Sequence, residues 1–191
     1  MTETVVDLVV EEAAWAEAVP DLAAAAESAA RLALGAAGLD PARWRICVLA
    51  CDDTRIAALN RAFLGKAAAT NVLSWPAYDL APGQPGAAPP APPDPAAGQR
   101  GALGDVAIAL QTTRREAKAA AIPLNDHVIY LILHGCLHLL GFDHETEEDA
   151  AAMEGIETRA LARVGVADLY LQDDAAEPCP DRLKRWKKDR V

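Results

Sequence analysis

Residues 125–144 read NDHVIYLILHGCLHLLGFDH, a long apolar run with polar residues at its start and a glycine near its end. Asn125 and Asp126 are side chains that commonly cap helix N-termini, so a helix is predicted from here through Leu140. Gly141 is the expected stop, because glycine adopts the positive φ angle at which many helices end. The segment therefore predicts one helix that carries histidines near its C-terminal end.

The histidine spacing indicates a metal site. His134 and His138 are one helical turn apart and only about 40° apart around the axis, so their imidazoles can share one ion. The turn at Gly141 lets the chain fold back and bring His144 as a third ligand. Three neutral imidazoles with a fourth position open to water are typical of catalytic zinc sites. One zinc ion per chain is expected, although the same ligands also suit nickel, cobalt or copper.

The spacing H-x3-H-x2-G-x2-H also occurs in metzincin peptidases, where a glutamate follows the first histidine and serves as general base. Gly135 occupies that position here. Because the group that activates water in those peptidases is missing, a hydrolase of peptides or small molecules is disfavoured.

The rest of the chain predicts one sheet with helices packed on it. Runs rich in β-branched residues predict strands at 4–11, 43–50, 70–75 and 103–110. Helical spacing and punctuation predict helices at 20–38, 54–63, 113–121, 125–140 and 146–164. Thr113 with Glu116 fits a capping box, and Thr146 is the expected N-cap of the last helix. The order predicts an α+β fold with a small mixed β-sheet and a metal-binding helix that has a zincin-like histidine motif.

The chain has 191 residues, the size of a single domain, which is assigned to residues 1–173. Eight of its 13 prolines lie between Pro76 and Gln99. Such a segment buries too little apolar surface to offset its ordering entropy, so residues 81–101 are predicted to be a mobile inserted loop. Residues 174–191 are predicted to be a polar, basic tail.

The cysteines and the chain start suggest a reducing compartment. No CxxC pair occurs, which disfavours a disulfide scaffold and a cysteine zinc site. Core packing is expected for Cys47, Cys51 and Cys136, and exposure for Cys179. No apolar run approaches the roughly 20 residues of a membrane span, and acids occupy the N-terminus where a secretory signal carries bases. A cytoplasmic protein without membrane contact is expected.

Three separated blocks resemble one known family. HGCLHLLGFDHE at residues 134–145 resembles the signature of the YbeY family, the bacterial rRNA-maturation endoribonucleases. LNRAFLGKAAATNVLSWP at residues 59–76 and LGDVAIAL at residues 103–110 are similar to two further blocks of that family, in the same order. Together the blocks are far more specific than a single motif.

The resemblance implies a metal-dependent endoribonuclease directed at single strands, acting in 16S rRNA 3′-end maturation and ribosome quality control. It implies an α+β fold with a small sheet beside the metal-bearing helix, and it carries the metal ligands over to His134, His138 and His144. Single-stranded RNA or rRNA, and the ribosome or small-subunit proteins, are the implied partners.

The chain departs from the family pattern at two positions. Leu64 stands where the family usually has an arginine, in an aromatic-Arg-Gly-Lys run. An arginine can clamp a phosphate with two hydrogen bonds and leucine cannot, although Arg61 or Lys66 can partly substitute. Tyr130 stands where many members have a further histidine. A second hypothesis is therefore kept: a ribosome-associated assembly factor with a structural metal and feeble or lost nuclease activity.

Charge is unusual for a protein that acts on RNA. The chain has 18 basic and 28 acidic residues, a net charge of −10, so a broad basic face for duplex DNA is disfavoured and no DNA partner is expected. Local positive charge comes from Arg61, Lys66 and the tail residues Lys184, Arg185, Lys187 and Lys188. Free RNA is expected to bind weakly, with targeting by the ribosome or by protein partners.

Residues near the ligands have open roles. Carboxylates normally orient metal-bound histidines, and Asp143 and Glu145 flank His144, so each is either such a carboxylate or a solvated acid. His127 lies seven residues before His134, on nearly the same helix face, and is expected to support the site or line the cleft. No general base is evident, and attack by the RNA 2′-hydroxyl stays an alternative.

Overall fold

A computed structural model of the protein describes residues 3–166, so the basic tail and Cys179 lie outside the described residues. The four strands are β1 (Val6–Val10), β2 (Trp44–Cys51), β3 (Val72–Pro76) and β4 (Gly101–Ala109). They form one sheet in the order β1-β2-β4-β3. β1, β2 and β4 run parallel, and β3 pairs antiparallel with β4 at the edge. The predicted small mixed sheet is confirmed.

Six α-helices accompany the sheet in the described part of the chain. They are α1 (Trp15–Ala18), α2 (Leu22–Ala36), α3 (Asp53–Leu64), α4 (Leu110–Ala119), α5 (Leu124–Leu139) and α6 (Glu147–Ala162). The five longer helices correspond to the five predicted ones, and α1 is a single turn that the prediction missed. The α+β class is therefore confirmed.

The start of α4 differs from the prediction. The helix follows β4 directly from Leu110, and Thr113 lies fully buried in its first turns, so the capping box at Thr113 is wrong. Ala109 is the N-cap and its side chain makes no capping hydrogen bond. Instead Asp53, on the neighbouring helix α3, accepts a hydrogen bond from the backbone N–H of Thr112 at 2.9 Å. A carboxylate from another element thus satisfies this helix terminus.

The predicted N-cap of α5 is wrong, and the predicted N-cap of α6 is confirmed. Pro123 is the N-cap of α5, and Asn125 and Asp126 lie inside the first turn without capping it. Proline suits this place because it has no N–H to satisfy and its φ angle is already close to helical. Thr146 caps α6 as predicted, because its hydroxyl accepts from the backbone N–H of Asp149 at 3.1 Å.

Helix α5 forms the centre of the core. It packs against α2 on one side and against β3 and β4 on the other, so residues 127–137 are all buried. A helix enclosed in this way is apolar on every side, as its sequence shows. The opposite face of the sheet carries a smaller cluster, where Ala107 and Ala109 of β4 meet Ile56 of α3. The sheet therefore separates α5 from α3.

The connection between β3 and β4 follows the protein surface. Arg43 pairs with Asp94 at 3.0 Å, and the backbone N–H of Gly86 donates to Asp149 of α6 at 2.7 Å. Leu80 is buried. These contacts attach the connection to Arg43 and to the first turn of α6, while the predicted mobility of residues 81–101 stays a prediction.

The cysteines within residues 3–166 are free thiols. Cys51 and Cys136 are buried, as predicted, and Cys47 is half-buried. Among the described residues, no single helix has both the length and the hydropathy to cross a membrane; only α4 and α5 together meet these criteria, as a pair bent by 116°.

Candidate metal centre

Three imidazoles converge where α5 ends. His134 and His138 lie on the last turns of α5, and His144 follows the turn after it. The centroids of the three rings are 4.5, 5.1 and 5.5 Å apart, and one nitrogen of each ring lies within 4.8 Å of the other two. Neutral imidazole nitrogens at such separations fit one tetrahedral transition-metal ion. The structure thus brings together all three predicted ligands in a group with the geometry to hold a metal.

Glycine makes the turn that returns His144 to the helix end. Gly141 has φ of +87°, and a Cβ on it would lie 2.3 Å from the carbonyl oxygen of Leu80. The predicted helix stop is therefore correct, and the position excludes side chains for a steric reason as well. After the turn, the Asp143 carboxylate accepts a hydrogen bond from the backbone N–H of His144 at 2.7 Å. This hydrogen bond restrains the backbone that carries the His144 imidazole.

The carboxylate that orients an imidazole comes from α6. Oε1 of Glu157 lies 2.7 Å from Nδ1 of His134, and the Glu157 side chain is only 1% exposed. With the carboxylate ionised, Nδ1–H donates and Nε2 keeps its lone pair free to face the other two rings. Asp143 instead accepts a hydrogen bond from the backbone and Glu145 is exposed, so the orienting role that the sequence left open for these two acids is taken at His134 by Glu157.

Sequence reasoning missed Glu157, although a signal for it existed. The buried positions of α6 are Ala150, Met153, Glu157, Ala160 and Leu161. They follow helical spacing, so the glutamate occupies one position of an otherwise apolar stripe. A carboxylate in such a position requires a buried partner, and the histidine cluster supplies it.

Burial favours the neutral form of the His138 imidazole. Desolvation holds the pKa of His138 well below its usual range, and the neighbouring rings of His134 and His144 lower it further. Because only the neutral ring offers a lone pair, this shift keeps His138 available as a ligand at neutral pH.

Gly135 lies where α5 packs closely against the sheet. A Cβ at this position would lie 2.8 Å from Cγ1 of Val106 and 3.1 Å from Oγ of Ser74. The glutamate that metzincins have at this point has no room here. The absence of that general base therefore follows from the packing of this fold.

An open cleft of about 1190 Å³ leads to the imidazoles. One wall is β3, the second is the segment Tyr78–Pro85, and the three histidines lie between them. The cleft is also lined by Leu64, the last residue of α3, and by Lys66, two residues further along the chain. The cleft therefore exposes the metal centre to a large substrate.

His127 belongs to a buried cluster beside the centre. Its Nε2 lies 3.0 Å from Oε2 of Glu116, which also accepts a hydrogen bond from the Asn71 amide at 2.9 Å. The His127 ring stacks on Tyr130, whose ring in turn lies 5.8 Å from that of His134. His127 is fully buried, so it supports α5 and does not form a wall of the cleft.

The chain is similar to known proteins over most of its length. The family model for endoribonuclease YbeY matches residues 9–165. Proteins named endoribonuclease YbeY from Dinoroseobacter shibae and Ruegeria pomeroyi are 53% and 50% identical over 167 residues, covering 86% and 87% of this chain and 90% and 98% of theirs. A solution structure from Thermotoga maritima, with a TM-score of 0.46 and 16% identity, covers 83% of this chain and 91% of its own. By the family match over residues 9–165 and the 53% and 50% identities, the chain belongs to the endoribonuclease YbeY family.

Proposed function

We propose that the protein is a zinc-dependent endoribonuclease that cuts single-stranded RNA, with one ion held by His134, His138 and His144. The observation that carries this proposal is the convergence of three imidazoles within an open cleft, in a chain of this family. When bound, the ion supplies Lewis-acid stabilisation of the negative charge that develops on a phosphate during cleavage.

Residues of the chain prepare this site in distinct ways. Glu157 holds the His134 ring by Nδ1, which leaves Nε2 available to a bound ion, and the backbone hydrogen bond of Asp143 fixes the loop before His144. Lys66, in the cleft wall, provides a point charge for a phosphate. Because the cleft is open and is lined by β3 and by the segment Tyr78–Pro85, an unpaired strand is the substrate that we expect it to take.

The attacking oxygen is either water or the ribose 2′-hydroxyl, and the product ends distinguish the two. Attack by the 2′-hydroxyl leaves a 2′,3′-cyclic phosphate, whereas attack by water does not. No side chain of the cleft is assigned as general base.

The cellular role we propose is 16S rRNA 3′-end maturation and ribosome quality control in the cytoplasm. The net charge of −10 supports an enzyme that binds free RNA weakly, because phosphate contacts normally supply most of the affinity. The ribosome or small-subunit proteins would then bring the substrate to the cleft.

One observation favours a second candidate function. Leu64 lines the cleft at the position where the family usually has an arginine, and it offers no hydrogen bond to a phosphate. The protein would then act as a ribosome-associated assembly factor whose metal is structural.

Cleavage of a labelled single-stranded RNA tests the proposal, with and without a chelator and with bound metal measured on the same samples. His138→Ala should lose both metal and cleavage. His127→Gln is the matched control, since that imidazole faces Glu116 and lies outside the metal group. Wild-type protein with one metal per chain and no cleavage would support the assembly factor instead.

A further inference from the structure

We propose that Phe63 and Trp75 form a stacking platform for an unpaired nucleobase at the rim of the cleft. The inference rests on the proposed function, because it assigns a subsite for the single-stranded substrate. We call Phe63 and Trp75 together the aromatic platform.

The exposure of these side chains is the first observation. Phe63 and Leu64, in the last turn of α3, are 63% and 56% exposed, more than any other large hydrophobic residue within residues 3–166. Phe63 packs against Trp75 with ring centroids 5.3 Å apart and planes at 62°. This edge contact restrains the phenyl ring and leaves much of its surface to solvent. The exposed face of the ring is therefore available for a flat ligand to pack on.

The second observation is the position of the aromatic platform relative to the cleft. Leu64 lines the cleft, and so do Ser74 and Pro76, the residues on either side of Trp75 in β3. Side chains alternate along a strand, so Trp75 lies on the α3 side while its neighbours face the cleft. The aromatic platform therefore continues the cleft wall over the sheet edge. A strand with one phosphate at the imidazoles can leave the cleft across Leu64 and place a base on Phe63.

The basic residues near Phe63 favour a nucleotide as the ligand of the aromatic platform. Arg61 and Lys66 flank Phe63 in sequence and are exposed, and within the described residues neither forms an ion pair. An exposed lysine in the cleft wall, three residues after the exposed ring, matches a nucleotide that offers a base and a phosphate together, in a chain whose net charge is −10. Leucine in place of the arginine removes a phosphate clamp and adds apolar surface, which shifts recognition toward the base.

Binding of an oligoribonucleotide tests this assignment separately from cleavage. The probes are a labelled 2′-O-methyl oligoadenylate, which resists 2′-hydroxyl attack, and an abasic oligomer of equal length and charge. The metal-loaded full chain should bind the oligoadenylate more tightly than the abasic oligomer. Phe63→Ala should weaken oligoadenylate binding by about tenfold, the value of a base–aromatic stack, and leave abasic binding unchanged.

Three further variants accompany Phe63→Ala. Phe63→Tyr should keep the wild-type affinity, whereas Phe63→Leu should lose as much as Phe63→Ala, because an aromatic face is required. Val9→Ala is the matched control, since Val9 is 47% exposed on β1 at the opposite edge of the sheet. Equal weakening of both probes by Phe63→Ala would overturn the assignment, and so would no weakening at all.

The two proposals fail in different ways. Base-dependent binding that Phe63→Ala removes, without cleavage of ordinary RNA, supports the platform and overturns the nuclease. Metal-dependent cleavage with unchanged binding in Phe63→Ala supports the nuclease and overturns the platform. In that second case the exposed side chains are reassigned to a protein partner.

Discussion

Oε1 of Glu157 lies 2.7 Å from Nδ1 of His134, and both side chains are almost completely buried. The two residues come from different helices, α6 and α5, so the contact joins the tertiary packing of α6 to the metal centre. A buried carboxylate without such a partner would be strongly unfavourable. The pair therefore fixes the His134 ring and also ties α6 to the core.

Glu157→Gln is expected to weaken metal binding by about 10- to 100-fold. The amide oxygen can still accept from Nδ1–H, but the negative charge that raises the basicity of the ligand is lost. Competition with a chromophoric chelator measures the affinity. Glu147→Gln, an exposed change in the first turn of α6, is the control and should bind metal normally. An unchanged affinity in Glu157→Gln would show that the contact is structural only.

Two glycines inside helices should respond oppositely to alanine. Gly135→Ala places a Cβ 2.8 Å from Val106 and should lower the free energy of unfolding by about 1–3 kcal/mol. Gly155→Ala meets only the flexible end of Arg159 and should raise it by about 0.5–1 kcal/mol, since alanine favours helix. Urea unfolding measures both. Equal effects of the two changes would contradict the close approach of α5 to the sheet.

The histidine centre and the fold class were predictable, because both depend on local spacing. His134, His138 and the turn at Gly141 lie within eight residues, and helix geometry alone brings the first two together. The contacts that sequence reasoning missed are long-range. Glu157 reaches His134 across 23 positions, and Asp53 satisfies the start of α4 across 59. Such pairs depend on how helices pack, which periodicity does not encode.

Cysteine reactivity should follow burial and pH. Burial raises the pKa of the Cys136 thiol to about 12, and burial with nearby acids raises the pKa of Cys51 to about 12 as well. Since the thiolate is the reactive form, both should resist alkylation at pH 8 in the native protein and react after unfolding in urea. Mass spectrometry of the digested protein identifies the labelled sites.

The raised pKa values of Cys51 and Cys136 also predict how the free energy of unfolding changes with pH. The unfolded thiols ionise from a pKa of 9.0, whereas the folded ones stay neutral to about 12. The free energy of unfolding is therefore retained below pH 9. It should fall as the pH rises from 9 to about 12, because the unfolded thiols ionise there and the folded ones do not. Rapid labelling of Cys136 in the native state at pH 8 would contradict the packing of α5.

Leu64→Arg separates the two candidate functions. The side chain is 56% exposed in the cleft wall, so the change should cost little stability. An arginine there can donate two hydrogen bonds to a phosphate, and charged hydrogen bonds contribute about 1.5–3 kcal/mol, so kcat/KM for single-stranded RNA should rise about tenfold or more. Leu64→Lys supplies charge without the bidentate fork and should gain less. Single-turnover cleavage with metal-loaded protein measures both variants. If Leu64→Arg leaves cleavage at background while metal stays bound one to one, the missing arginine does not limit the reaction and the assembly-factor function is supported.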